Sequence, residues 1–297
     1  MNGIICINKP EGFTSFDVIA KLRGILKMKR IGHSGTLDPM ATGVLPVFIG
    51  NATRACDMLS DNEKSYVADF RLGCSTDTQD SSGKVLTSSE IAVSRDEFVE
   101  VMRGFIGEIE QIPPMYSAVS VNGQRLYELA RKGIEIERDA RKIRIDKLEL
   151  QEFDSQNRVG KLLIECSKGT YVRTIIHDIG QKLGCGGIMT GLVRLSSNGF
   201  TLDKALTIDE VKSLLDEGRL EEFILPVEKV FIGLPKLYLD EVQTKMYKNG
   251  IKLDLARVND VGKADKYAVY GDDKKFIGTG LADFDKAELK VEKNFFR

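Results

Sequence analysis

The chain has 297 residues, 42% hydrophobic and 29% charged, with a formal net charge of −1. These values suit one large globular domain, or one large and one small, with a core big enough to need no disulfide or metal staple. They exclude a disordered chain and a globally basic protein, so any nucleic-acid surface must be a local patch.

The five cysteines, Cys6, Cys56, Cys74, Cys166 and Cys185, are scattered and form no Cys-x-x-Cys pair. That pattern points to reduced thiols and away from a disulfide framework or a zinc site. With only two histidines, His33 and His177, neither a metal nor a metal-bound cofactor is expected. No apolar run reaches the roughly 18 residues of a membrane span. The opening residues Met1-Asn2-Gly3-Ile4-Ile5-Cys6 lack the basic-then-apolar pattern of a secretory signal, so a cytoplasmic location is expected.

Residues 3–7 read as a short buried strand and Lys9-Pro10-Glu11-Gly12 as a turn. Thr14, with Asp17 three residues on, forms a capping box. The helix that follows carries Val18, Leu22, Ile25 and Leu26 at helical spacing. Its other face carries Lys21, Arg23 and Lys27, either a solvated face or a surface for phosphates. Next comes His33-Ser34-Gly35-Thr36-Leu37-Asp38-Pro39-Met40-Ala41-Thr42-Gly43, a stretch of turn residues with one acid and one imidazole. Asp38 is the only acidic residue between Asp17 and Asp57, while Lys21, Arg23, Lys27, Lys29, Arg30 and Arg54 flank it in sequence. A carboxylate among cations is expected to stay ionised, as a nucleophile or base requires. The same residues also describe an ordinary turn Asp before a proline.

Residues 44–49 read as a strand and 51–59 as a short helix. Residues 64–72 alternate with period two, placing Tyr66, Ala68, Phe70 and Leu72 on one face; on that pattern Tyr66 is a core aromatic. Residues 77–83 read as a loop. Ser94-Arg95-Asp96-Glu97 is a second capping box, opening a helix with Phe98, Val101, Met102 and Phe105 inward. Adjacent Pro113 and Pro114 impose an extended path on residues 111–118. Residues 125–147 hold eight Lys/Arg against five Asp/Glu, with Tyr127 among them, and read as a mildly basic, protruding segment.

Residues 142–153 and 158–166 pattern as a hairpin, and Lys168-Gly169-Thr170 turns into a helix over 171–180. Arg173 and His177 share a face of it. A cation so close to a helix start opposes the dipole, so Arg173 calls for an anionic partner. Gly184-Cys185-Gly186-Gly187 follows a helix rather than preceding one, which makes it a poor phosphate loop. No Walker or Rossmann fingerprint occurs. Residues 188–200 read as strand with turns, and Thr207-Ile208-Asp209-Glu210 caps another helix. A boundary is expected near Val230. Beyond it lies a small, mostly β unit with a helix at 241–248 and strands near 267–270, 276–281 and 289–291.

Five separated segments together resemble the bacterial tRNA pseudouridine synthase B family (TruB). They are Asn8-Lys9-Pro10-Glu11-Gly12-Phe13-Thr14-Ser15; Gly32 through Gly43; Lys64-Ser65-Tyr66 with Gly73 to Asp80; Gln111 to Arg131; and Cys166-Ser167-Lys168-Gly169-Thr170-Tyr171-Val172-Arg173. They span most of the first 200 residues in the family's order. The resemblance implies an α+β fold: a mainly antiparallel sheet flanked by helices over residues 1–230, and a PUA-like RNA-binding domain over 231–297. It implies isomerisation of uridine to pseudouridine at position 55 in the T-loop of tRNA, without a cofactor or metal, by a monomer whose partner is the tRNA T-arm. Neither a membrane nor an obligatory protein partner is implied.

By the same resemblance Asp38 is the nucleophile, attacking C1′ of the ribose or C6 of the uracil. Arg173 pairs with it and lowers its pKa, and Tyr66 stacks on the target base and relays a proton. Tyr171 and Leu192 line the base pocket, and His33 fills the position vacated when the base is extruded. Lys9 meets phosphate or supports the Asp38 loop, and residues 114–142 form an RNA-clasping insertion around Tyr127. Ser120 departs from the family's usual lysine, which puts one backbone contact in doubt. The rival readings are a related synthase acting on another RNA, and a non-catalytic tRNA-binding or RNA-folding protein. A hydrolase using Asp38 is a further rival, but it lacks the metal-binding acids such enzymes need near the nucleophile.

Overall fold

A computed structural model describes residues 1–59 and 63–296. The elements are β1 (Gly3–Lys9), α1 (Ser15–Leu26), β2 (Ile31–His33), β3 (Thr42–Ile49), β4 (Lys64–Leu72), β5 (Cys74–Thr76), β6 (Val85–Ser88), α2 (Arg95–Arg103), β7 (Gly107–Gln111), β8 (Ser120–Val121), β9 (Gln124–Arg125), α3 (Leu126–Ala130), β10 (Arg141–Asp154) and β11 (Val159–Cys166). Then follow α4 (Val172–Lys182), β12 (Gly187–Ser197), β13 (Phe200–Thr201), α5 (Ile208–Asp216), β14 (Lys236–Tyr238), α6 (Glu241–Lys248), β15 (Leu253–Asp254), β16 (Lys266–Tyr270), β17 (Phe276–Asp283) and β18 (Glu288–Asn294).

The main sheet runs β1-β3-β12-β4-β11-β10-β7, with β2 added to β3 and β13 to β12. Among the described residues, β3–β12 is the one strand pairing of this sheet that is parallel. The fold is thus α+β with a mainly antiparallel sheet, as expected. β1 and β3 are buried on both faces, which is why they read as unbroken apolar runs. Ile5, Ile7, Leu45 and Val47 pack under α1 and α5, while Ile4, Cys6, Val44 and Phe48 face the other way. β4 shows the expected alternation: Tyr66, Ala68, Phe70 and Leu72 all point into the core. There Phe70 stacks on Phe98 of α2 at 4.9 Å and Phe98 on Phe153 of β10 at 5.4 Å.

The capping boxes at Thr14, Ser94 and Thr207 all form, each side chain accepting from the backbone N–H three residues on. Several expectations need amendment. Residues 51–59 do not make an α-helix; a 3-10 turn, Gly50–Ala55, stands there, with the Thr53 hydroxyl donating back to the Gly50 carbonyl at 2.8 Å. Val101 is only half-buried. β7, sequence Gly-Glu-Ile-Glu-Gln, carries too little apolar pattern to show in the sequence, and its pairing with β10 makes it a strand. β12 is one strand of 11 residues, interrupted by register shifts at Met189/Gly191 and Arg194/Ser196. Within the basic segment, the β8–β9 hairpin and α3 gather a small core of their own from Met115, Leu126 and Leu129.

The second sheet runs β14-β16-β17-β18-β15 and packs on α6. Tyr247 of that helix is buried and donates its hydroxyl to the Thr279 carbonyl at 2.9 Å. This small sheet does not hang from a tether. Ala268, Tyr270 and Phe295 share one buried cluster with Ile4 and Phe48 of the large unit and with Phe231 at the join. Phe231 stacks on Phe276 at 5.5 Å, and the Arg54 guanidinium donates to the Asn294 carbonyl at 3.0 Å.

Candidate active site

The loop between β2 and β3 is held by groups that have no acid among them. Lys9, at the end of β1, is fully buried. Its ammonium donates to the carbonyls of Pro10, Phe13 and Pro39. Burial pulls the Lys9 pKa down to about 8, against the opposing pull of Asp38. Of the two roles expected for Lys9, this geometry supports the holding of the Asp38 loop, because no phosphate can reach a fully buried ammonium. The Ser15 hydroxyl accepts from Leu37 N–H at 2.9 Å, and Gly12 N–H donates to Pro39 at 2.9 Å. From β12, the Arg194 guanidinium donates to Gly35 and Val44 carbonyls at 2.8 and 2.6 Å. The loop that results presents Asp38 with its side chain 36% exposed.

Arg173 sits in the first turn of α4, and its side chain is 6% exposed. Its Nη2 lies 3.4 Å from Asp38 Oδ1 and donates to the Tyr116 carbonyl at 2.6 Å. Its Nη1 lies 3.6 Å from Asp80 Oδ2. Two carboxylates thus offset a cation placed against its helix dipole. The start of α4 is fixed from outside: Gln111 Oε1 accepts from Tyr171 N–H at 2.8 Å while its Nε2 donates to the Tyr171 carbonyl at 3.1 Å.

Asp80 is the neighbour of Arg173 that residue-by-residue reading missed. It is 4% exposed, and its Oδ1 accepts from Thr78 Oγ1 at 2.7 Å and from Ser82 N–H at 2.9 Å. The loop around it is pinned to β12 through Ser81 N–H to Met189 and Met189 N–H to Gln79. Thr-x-Asp-x-Ser is a pattern for a self-bonded Asx turn. Such a pattern signals local bonding and not burial beside an arginine 93 positions away in the chain.

Asp80 changes the electrostatics of Asp38. Burial pushes the Asp38 carboxyl above its ordinary value; Arg173 opposes this and Asp80 adds to it. The expectation of a carboxyl held low by a dedicated arginine is therefore reversed, chiefly by burial, with Asp80 adding to the rise that Arg173 opposes.

Tyr66 is 6% exposed on β4, in the same buried cluster as Leu37, Ala41 and Leu192. It is both a core aromatic and a neighbour of the Asp38 loop. Burial pushes its phenol upward, and the Arg194 guanidinium pulls it down. Leu192 is 8% exposed; Tyr171 is half-buried with the Arg173 guanidinium 5.9 Å from its ring centre. His33 ends β2, half-buried, with Nδ1 unpartnered; burial and Arg194 both hold its pKa below the usual imidazole value. Lys21 and Arg23 of α1 and Lys27 just after it are exposed, and Ser120 is exposed on β8. Among the described residues, no three His, Cys, Asp or Glu side chains gather closely enough to hold a metal ion.

A reachable carboxylate, an arginine bridging it to a second acid, and a buried tyrosine on β4 make a site suited to covalent or acid–base chemistry. Residues 23–172 match the TruB family pseudouridylate synthase N-terminal domain, and residues 173–231 match the tRNA pseudouridylate synthase B C-terminal domain. The chain is 43% identical to the tRNA pseudouridine synthase B of Clostridium kluyveri over 98% of this chain and 99% of that one. It is also 43% identical to that of Dehalococcoides mccartyi, over 93% and 91%. Among solved structures, a chain of a Cbf5–Nop10–Gar1 complex superposes with a TM-score of 0.75 at 28% identity, covering 99% of this chain and 85% of that one. A chain of an H/ACA RNP bound to a substrate RNA containing 2′-deoxyuridine superposes at 0.73 with 26% identity, covering 99% and 85%. Two matched domains and full-length likeness at this identity leave one conclusion: the chain belongs to the TruB family of pseudouridylate synthases.

Proposed function

We propose that this protein isomerises uridine to pseudouridine in tRNA, acting in the T-loop at position 55 with Asp38 as nucleophile. The observation that carries the reading is the one reachable end of a buried charge network. Arg173 and Asp80 are sealed at 6% and 5% side-chain exposure, while Asp38, paired to the same guanidinium, is open at 36%. The reaction breaks the C1′–N1 bond, turns the uracil and joins C1′ to C5; a proton leaves C5 and N1 gains one, so the net change is isomerisation. Asp38, attacking C1′ or C6, holds ribose or base through the turn. Arg173 orients the carboxylate, Tyr66 stacks on the uracil, and Tyr171 and Leu192 wall the pocket. The target must leave its stack first, at a cost of a few kcal/mol, and His33 props the space it vacates.

The tRNA T-arm is the partner. Exposed cations of α1 meet its phosphates, and residues 114–142 clasp it. Residues 1–230 are the catalytic domain and 231–297 a PUA-like RNA-binding domain of a cytoplasmic monomer. The test is tritium release from tRNA carrying 5-tritiated uridine. Asp38→Asn is expected to lower turnover by more than about 10⁴-fold while tRNA affinity stays within about tenfold. Substantial turnover by the variant would remove Asp38 from the reaction.

A further inference from the structure

Arg194 heads the largest fully buried side chains among the described residues, at 0% exposure. The two acids of the site pair with Arg173, and no carboxylate pairs with Arg194 among the described residues. An unpaired buried cation is costly, so its presence calls for a use. Its bonds show where that use lies. Nε and Nη2 donate to the carbonyls of Val44, in β3 just past the Asp38 loop, and Gly35, near the loop's start. Two glycines lie close to Arg194, Gly43 against its backbone and Gly35 against its guanidinium. Gly43 has φ +99°, and a Cβ there would sit 2.3 Å from the Arg194 carbonyl oxygen. Gly35 has φ +71°, and a Cβ there would sit 3.2 Å from Nη1.

The third contact is with Tyr66. The two residues are directly opposite in the β4–β12 register, which places their side chains on one face of the sheet. The guanidinium acts on the Tyr66 phenol as a neighbouring charge. Nη1 itself is buried with no partner in hydrogen-bonding geometry. Cys6 of β1, Lys9, His33 of β2 and Lys64 of β4 also face the Arg194 charge. Cys166 and Asp38 act on Tyr66 from the remaining sides.

We propose that Arg194 is a positioning residue of the reaction: it binds carbonyls on either side of Asp38 and, opposite Tyr66, stabilises the phenolate that exists while Tyr66 relays a proton, giving its own to N1 of the uracil and taking one from C5. This rests on the reading of Asp38 and Tyr66 as site residues. A fixed cation beside a buried oxygen needs no reorganisation when charge develops there, and tying it to the nucleophile's loop keeps Tyr66 and Asp38 in one frame.

The test uses the full chain with Arg194→Met, Arg194→Lys, Tyr66→Phe and the Tyr66→Phe/Arg194→Met double variant. Tyrosines are labelled as 3-fluorotyrosine, and the Tyr66 signal is assigned by its loss in Tyr66→Phe. In folded Arg194→Met the Tyr66 titration moves to higher pH. Its kcat falls by about 100-fold with KM for tRNA within about threefold. Arg194→Lys recovers part of both. The double variant loses no more than the worse single one, as coupled residues do. If Arg194→Met does not fold, Arg194→Lys carries the same readouts. A Tyr66 titration that stays put in a folded variant, or losses that multiply in the double, overturns the proposal. Near wild-type turnover by Tyr66→Phe would sink the reading of Tyr66 and the catalytic half of this proposal with it, while the titration would still report the Arg194–Tyr66 contact.

Discussion

Asp38 shows how little of a residue's chemistry its sequence neighbours decide. The cations flanking it in sequence suggest an acid held low, yet the groups that act on it are Arg173, Asp80 and Lys9, and burial outweighs them all. The sign carries to the pH–rate profile. As the proposed nucleophile Asp38 must be a carboxylate; its folded-state pKa is raised, and so activity is expected to fall as pH drops through a point above the ordinary aspartate range. Asp80 contributes to that rise, and its charge also draws on Arg173. Asp80→Asn is therefore expected to shift the acid limb of kcat to lower pH, with the amide oxygen still able to accept from Thr78 and Ser82. Profiles of the two proteins across the acid range check this, and a limb that moves to higher pH would show that Asp80 supports the ionised form instead. Arg173 was legible as a cation in need of an anion, because its place in a helix start is a local fact. That it would find two anions was not.

At the scale of elements, the loop between β2 and β3 is gripped along its length by three other elements. β1 supplies Lys9, α1 supplies Ser15, and β12 supplies Arg194. Gly43 is where the loop becomes strand, paired with Lys9 on one side and Arg194 on the other. Its φ of +99° and its approach to the Arg194 backbone leave no room for a methyl group. Gly43→Ala is expected to cost about 3 kcal/mol or more, read as a lower midpoint in urea unfolding. A change under about 1 kcal/mol would mean that the loop relaxes without strain and that its grip on Asp38 is looser than the contacts imply. Elements with strong local signals, the capped helices and the alternating β4, were legible. β7 and the β8–β9 hairpin were not, since two to five residues without apolar alternation become strand only when a partner is present.

The whole molecule is one continuous body across the two sheets. Phe231 lies at the join, 4% exposed and within 5.5–5.6 Å of the rings of Phe276 and Phe295. Removing residues 231–297 would strip cover from Ile4, Phe48 and Ala52, so a truncation lowers stability as well as any tRNA affinity the small sheet supplies. Phe231→Ala separates the two effects. It is expected to cost about 3–5 kcal/mol and to split unfolding into two transitions as the small sheet releases first. A single transition at the wild-type midpoint would show that the join carries little energy.

By itself the sequence determined the capped helices, the alternating strands, the scattered thiols and, through five ordered segments, the family whose pattern this chain carries. Those features are local or are spelled in residue types, and short-range hydrogen bonding and periodic burial express them directly. Only the tertiary structure decided that Lys9 is sealed under the loop, that Asp80 joins Arg173 beside Asp38, that Arg194 stands opposite Tyr66, and that the small sheet shares a core with the large one. Each of these depends on pairings across tens to hundreds of positions. There desolvation and strand register, summed over the whole fold, set which charges meet and which stay exposed.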